Sequence, residues 1–554
     1  MTDGTVPERD ALFRDLVELH DAGDVDLFEV MMGPDVSWAW SPDFAARQQL
    51  YKGVIPRLSV SAARIMAALE TVTDGMWCYV LDEAFLDWCS ARSGRVDEVL
   101  ALFDEGHPVA DRFVLAAFVA GLRKDVAKYT TPLVEIVTGV RPGSRHLGTR
   151  ALAVMPTTDG ASIHFALAAL KSVVEGTELE AELRAGALSA LFEIAARAPE
   201  MAVTCVLGLL DLAANNENAA LLDACADALA RHGQALPAAI LEGLVEPLSH
   251  LDASRTHVLG AVGIGLYRLL SAAGHEERAF ALLERLLVRD DGDAILEKLG
   301  SVSHELSNGD VVRLGQIAAR WLLSGEIGLC SSVANLVRGA NDRELSFDVD
   351  FSSMSLTDRQ MLFLSRKVVG WLLLQPVAAA SLVVSLLRHA TEATAEALGE
   401  ILLDPVLMNY PGSARRYLDL VAPTLSGVAA ATITRTLARH DEYLRAIEAV
   451  GLVPELHPSE RQRRIAYQRE SDLMSSARRE AEEKSVLSSI VHRFLLLHGV
   501  RCISYVRDFG GGTRRLDNKL GTISTEIERA MQWTFDPLGL ESTLLGYRLE
   551  PLLE

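Results

Sequence analysis

Aromatics, lysines and paired cysteines are all scarce in this chain, and it carries none of the short motifs that mark common catalytic or metal sites. Aromatic residues make up only 6% of the 554 residues. That argues against sheet architectures, which favour aromatic and β-branched side chains. The six cysteines, Cys78, Cys89, Cys205, Cys225, Cys330 and Cys502, include no C-x-x-C pair. Most sit in apolar runs, where a thiol behaves as a small hydrophobe. This usage argues against a disulfide framework or zinc site and fits a reducing cytoplasm. There is no G-x-x-x-x-G-K-[S/T], G-x-S-x-G or H-E-x-x-H. The nearest fragments are His275-Glu276-Glu277-Arg278 and His304-Glu305. His492 and His498 fall on opposing sides of a helix, so they do not share a ligand spacing. The expectation is therefore no catalytic site, no cofactor and no metal.

Residues 1–10 have no basic region followed by an apolar stretch, so no signal peptide is read there. One run, Val368–Leu387, lacks charge over 20 residues, long enough to span a bilayer. Gln375-Pro376 splits it near the centre. Proline is favourable in the first turn of a helix and costly inside one. The run therefore reads as a buried helical hairpin and not as a membrane span.

Positive charge is also short and unevenly placed. The net charge is −22, which repels phosphate backbones. From His457 to Glu554, however, 15 Lys/Arg meet 14 Asp/Glu, so the excess acid lies before that point. Arginine outnumbers lysine 45 to 8. With abundant Ala, Gly, Val and Leu, this matches the coding bias of a high-GC bacterium.

What is present is a repeat. The pattern apolar-x-x-apolar-apolar occurs at Leu133–Val137, Leu170–Val174, Val206–Leu210, Leu241–Val245 and Leu283–Leu287. Successive starts are 37, 36, 35 and 42 residues apart. This period marks stacked helical hairpins, none of which can bury its apolar face alone. The spacing predicts paired helices over Leu183–Arg197 and Met201–Ala213, Leu221–Arg231 and Pro237–Leu248, then Arg255–Leu270 and Glu276–Val288. Their connections are short enough to make neighbours antiparallel.

On these segments the chain resembles HEAT-like and armadillo-like α-solenoids, at the level of architecture. The fold class expected is all-α, with a small α+β C-terminal domain containing a β-hairpin. Three regions follow: an irregular helical cap at 1–110, the repeat array at 111–456 and the C-terminal domain at 457–554. The cap holds Trp77, Val80, Leu81, Phe85 and Trp88 at helical spacing, read as a packed cap or a partner groove. Ser346–Thr357 alternates polar and apolar residues, and it reads as an exposed loop or short strand interrupting the array near 341–356.

The C-terminal domain opens with a charged helix from Glu460 to Lys484 that continues through the apolar stretch to Leu497. Then Arg501–Arg507 and Thr513–Ile523 read as two strands flanking Gly510, Gly511 and Gly512. Thr525–Trp533 is a short helix and Asp536–Leu540 a turn. Arg501, Arg507, Arg514, Arg515 and Lys519 surround the glycines. Glycine runs expose backbone N–H groups, and arginine offers bidentate donors. These eight residues are the candidate site for an anionic partner, with Tyr505 and Phe509 available to stack on a base. The other reading is a solvated hairpin whose glycines supply positive φ. For the whole chain two functions stand. One is a non-catalytic cytoplasmic scaffold binding another protein along the solenoid. The other is a nucleic-acid- or nucleotide-binding component acting through the basic hairpin.

Overall fold

A computed structural model describes residues 6–32, 50–70, 78–139, 142–214, 219–289, 291–340, 344–451, 453, 458–484 and 528–552, with the backbone of 501–507 and 513–519. The described residues are about 80% helical, in 27 α-helices. The chain is therefore an all-α protein. It divides into two compact units, Met1–Arg343 and Glu344–Glu554.

In the first unit, helices α1 (Val6–Ala22), α2 (Leu27–Met32), α3 (Ala62–Glu70), α4 (Cys78–Ala91), α5 (Arg95–Asp104) and α6 (Ala110–Lys124) come first. Phe85 and Trp88 of α4 and Phe113 of α6 are buried and pack on one another. Arg95 lies beneath this cluster, 4.3 Å over the Trp88 ring. It donates to the carbonyls of Trp88 at 2.7 Å and Pro56 at 3.1 Å. Burial pushes its guanidinium down to about 10. Val80, Leu81, Phe85 and Trp88 of that face are all buried, while Trp77 lies outside the described residues.

The regular array follows. One layer holds α8 (Pro142–Ala153), α10 (Ala181–Arg197), α12 (Ala219–His232) and α14 (Thr256–Leu270), stacked side by side. The other holds α7 (Val126–Thr138), α9 (Gly160–Glu175), α11 (Pro199–Ala214), α13 (Ala238–Ser249) and α15 (Glu276–Leu287). All five copies of the sequence pattern fall in this second layer. Leu209, Leu244 and Leu286, which share one repeat position, are each 0% exposed. Aspartates start several helices. Asp125 accepts from the Lys128 backbone N–H and Asp159 from that of Ser162, each satisfying an otherwise orphaned helical donor. Gly265 of α14 passes so close to α12 that an added Cβ would sit 2.9 Å from the Leu229 carbonyl carbon.

Arginines tie each repeat to the one before. Arg197 donates to the Met155 carbonyl at 2.8 Å and Arg289 to that of Ser249 at 3.0 Å. Arg268 donates to the Ala230 carbonyl. Each covers carbonyls at or just beyond the end of a helix about one period upstream, where they lack intrahelical partners. The unit ends with shorter helices, α16 (Gly292–Lys298), α17 (Gly300–Asn308), α18 (Val311–Ser324) and α19 (Ile327–Gly339).

The second unit is also helical: α20 (Asp358–Leu372), α21 (Pro376–Leu387), α22 (Glu392–Ile401), α23 (Ser413–Val421), α24 (Gly427–Val450), α25 (Glu460–Lys484), α26 (Gln532–Phe535) and α27 (Pro537–Leu549). The uncharged run 368–387 is split between α20 and α21, with Pro376 in the first turn of α21. Every residue from Val377 to Leu387 is buried. Among the described residues, no helix is long and apolar enough to cross a membrane.

Two local expectations need correction. The segment 345–351 is not an exposed loop. It runs extended along α21, with Leu345, Phe347, Val349 and Phe351 buried in alternation. The Phe347 and Val349 backbone N–H groups donate to the hydroxyls of Ser381 and Ser385. Side-chain hydroxyls on a helix thus take the place of a neighbouring strand. Likewise, Asp536–Leu540 is not a turn but the start of α27. Asp536 caps it by accepting from the Gly539 N–H at 2.9 Å, and Pro537 occupies the first turn. An Asp-Pro pair signals either structure, and the apolar face of the following residues decides it. The charged helix is described to Lys484; its expected continuation to Leu497 lies outside the described residues.

Candidate functional site

Two concave sites stand out, one in each unit. The first is a cleft of about 630 Å³ between α16, α17 and α19. Its buried floor is Leu296 and Leu336, and the exposed Ala294 and Gly339 join Asp293, Glu297, His304, Asn308 and Asn335 in lining it. It forms where the long repeat helices give way to short ones, so neighbouring helices no longer cover each other's full length. The Asp293 carboxylate accepts from Asn335 Nδ2 at 2.9 Å and from the Ser331 hydroxyl. Asn308 Nδ2 lies 3.2 Å from His304 Nδ1. The Ser303 hydroxyl donates to the Leu296 carbonyl at 2.8 Å, so its proton is committed to structure. This is a polar-rimmed, apolar-floored groove suited to holding an extended segment rich in donors.

The second is a cavity of about 610 Å³ at the start of α23, lined by Leu345, Gln375, Pro376, Tyr410, Arg416 and Glu528 among others. Here the chain supplies its own anion. The Glu528 carboxylate accepts from the Gly412 and Ser413 backbone N–H groups at 2.7 and 2.8 Å, and from the Ser413 hydroxyl at 2.6 Å. These are the free donors of a helix N-terminus, where negative charge is stabilised. Burial, reinforced by this carboxylate, pushes the Tyr410 phenol up to about 12.

Beside it, Asn409 Nδ2 donates to the Pro405 carbonyl at 2.7 Å and to Gln532 Oε1 at 3.1 Å. Its Oδ1 accepts from the Gln532 backbone N–H at 2.9 Å. Further along, α27 lies on α20. Lys367 donates to the Arg548 carbonyl, and Arg548 Nε donates to the Gly370 carbonyl at 2.6 Å. Arg366 pairs with Glu550. Residues 528–550 are thus fastened to α20 and to the 409–413 corner at several separate points.

The sequence-derived candidates fare differently. Gly510, Gly511 and Gly512 lie outside the described residues, as do the side chains of Arg501, Arg507, Arg514, Arg515 and Lys519. His275 stands at the N-cap of α15, and its neighbour Glu276 pairs with Arg313 at 2.8 Å. His304 does reach a cleft, but the Asp293 and Asn335 that also line it carry no signal in the sequence. Asn335 meets Asp293 across 42 residues, and neither belongs to a motif. Among the described residues, no group of three or more His, Cys, Asp or Glu side chains could hold a metal ion. Cys89 and Cys225 are buried, and desolvation pushes each thiol up to about 12, far from a reactive thiolate.

No protein-family model matches the chain, and no curated protein matches it.

Proposed function

We propose that the chain is a non-catalytic interaction scaffold that holds another protein in the groove between α16, α17 and α19. The reading is supported above all by that groove, a polar-rimmed cleft formed where the repeat array gives way to shorter helices. It draws further support from the HEAT-like character of the array: a period of 35–42 residues and arginines bridging successive hairpins. Such arrays commonly present extended binding surfaces. Charge also fits. Asp293 and Glu297 on the rim favour a partner segment carrying arginine, lysine or amide donors. A bacterial cytoplasmic setting belongs to the same reading.

A photo-crosslinking residue at Ala294 tests it in the native host. The expected result is one protein adduct that survives nuclease and disappears when Gly339→Trp fills the groove from the facing helix. Labelling of nucleic acid, or an adduct indifferent to Gly339→Trp, overturns it.

A second reading is nucleic-acid or nucleotide binding through a C-terminal α+β element. It rests on backbone register: Arg501–Arg507 runs antiparallel to Thr513–Lys519, with 501 opposite 519, 505 opposite 515 and 507 opposite 513. With the period of two along a strand, Arg501, Tyr505, Arg507, Arg515 and Lys519 occupy register positions of one face. The expected consequence is that Arg514→Glu with Arg515→Glu weakens nucleic-acid retention and leaves Tm unchanged. Retention should also fall steeply with salt, because phosphate contacts release counterions. Retention unaffected by the double reversal rejects this reading.

A further inference from the structure

The cavity at the start of α23 holds more donors than its internal anion uses. Gly412 stands at the N-cap of this 9-residue helix. Its backbone N–H, that of Ser413 and the Ser413 hydroxyl converge on the Glu528 carboxylate at 2.7, 2.8 and 2.6 Å. Glycine permits that approach, since an added Cβ at 412 would sit 2.8 Å from Glu528 Oε1. Two further donors line the same cavity, Tyr410 and Arg416. Tyr410 is only 2% exposed, and among the described residues its hydroxyl has no hydrogen-bond partner. Burial keeps this phenol protonated at neutral pH, so it is available to donate. A buried hydroxyl left without a partner costs about 1–3 kcal/mol, which a ligand oxygen would recover. Arg416, in the first turn of α23, is exposed and forms no ion pair among the described residues.

The donor set identifies the class of ligand. A carboxylate offers two oxygens, and Glu528 satisfies only the donors of residues 412 and 413 with them. Two backbone N–H groups, two hydroxyls and a guanidinium fork suit the three terminal oxygens and near-double charge of a phosphate monoester better. A helix N-terminus is a favoured seat for that group. Leu374, Pro376 and Val377 add an apolar wall, and about 610 Å³ leaves room for an organic body beyond the phosphoryl group. Glu344, also lining the cavity, is the carboxylate that opposes an anion there. Glu528 is free to yield its place. It is exposed and belongs to no helix, lying just before α26. Swinging it out leaves the bonds between Asn409 and Gln532 intact.

We propose that this cavity is a binding site for a small organic phosphate monoester, whose phosphoryl group takes the position that Glu528 occupies. Gly412, Ser413, Tyr410 and Arg416 hold the phosphoryl oxygens. Glu528 is a tethered competitor that keeps the helix N-terminus satisfied until the ligand arrives. The site shares no residue with the groove between α16, α17 and α19.

Calorimetric titration of the full-length protein with phenyl phosphate tests it, with benzoate as the carboxylate counterpart. Glu528→Ala should tighten phenyl phosphate about tenfold or more, by removing both the tethered competitor and its like charge. Glu528→Gln, which keeps the size and loses the charge, should shift affinity in the same direction. In the Glu528→Ala background, Arg416→Ala should weaken binding about tenfold, the loss of a charge-assisted hydrogen bond. Tyr410→Phe should weaken it by a smaller factor. Benzoate should bind less tightly than phenyl phosphate to every variant. Circular dichroism checks that each variant keeps its helix content. Absence of phenyl phosphate binding to Glu528→Ala at millimolar concentration overturns the proposal, as does an affinity indifferent to Glu528→Ala and Glu528→Gln. Binding that survives Arg416→Ala and Tyr410→Phe unchanged lies elsewhere on the surface and overturns it too. Benzoate binding as tightly as phenyl phosphate overturns the phosphate class.

Discussion

The array from α7 to α15 and the closing segment 528–552 are both helical, yet they are held by opposite means. In the array, each helix meets partners about one period away, and the ties repeat: Arg197 to Met155, Arg268 to Ala230, Arg289 to Ser249. In the second unit, α20 is covered by a helix that returns more than 150 residues later, through Lys367, Gly370 and Arg548. The first arrangement spreads stability over many equivalent neighbours. The second concentrates it in a few contacts, each with no substitute.

That contrast predicts where substitutions hurt. The largest effect belongs to the array core. Leu244→Ala should cost about 2–5 kcal/mol in denaturant unfolding, because rigid neighbours on both sides leave a cavity. A loss below about 1 kcal/mol would mean that the hairpins slide to fill it. Next comes the closing segment. Lys367→Met removes the donor to the Arg548 carbonyl and should cost about 1–3 kcal/mol, the penalty of an unsatisfied buried group. It should also raise amide exchange across α27 selectively. Uniform exchange through the second unit would show that the segment is not a distinct cooperative element.

A smaller, pH-linked effect lies in the same unit. His440 is fully buried, and desolvation, aided by Arg415, holds its imidazole below the ordinary value of 6.5. The unfolded chain therefore takes up a proton that the folded one refuses. The contribution to stability is complete above pH 6.5 and shrinks as pH falls from there. Tm measured between pH 7.5 and 5 should drop more steeply for the native protein than for His440→Gln; parallel curves would exclude His440 as the cause. The smallest effect is at a surface tie between repeats. Arg278→Ala breaks a half-exposed pair with Glu242 at 3.1 Å and should cost less than about 1 kcal/mol.

The same contrast explains what the sequence disclosed. The array was legible because burial repeats at a fixed spacing, so Leu209, Leu244 and Leu286 announced one another. The break at Pro376 was legible because proline acts locally. The arginine ties were not, because they donate to backbone carbonyls, which every residue possesses. The burial of Phe347 and Val349 depends on Ser381 and Ser385, more than 30 residues away, and no local rule connects them. Asp293 and Asn335 became neighbours only through the stacking of α16 on α19. The docking of 528–552 was hidden for the same reason, since Asn409 and Gln532 stand 123 positions apart.

The fastening of Glu528, Gln532 and Arg548 has a kinetic corollary. Residues 528–552 behave as a peptide ligand whose receptor is the rest of the unit, to which they are covalently joined. That covalent link sets an effective concentration, and cutting the chain between the two would turn an intramolecular association into a bimolecular one. A protease nick between 451 and 527 should therefore leave a non-covalent complex that survives gel filtration at micromolar concentration and separates on dilution. Fragment exchange with a labelled 528–552 peptide would then read the strength of the closing contacts directly.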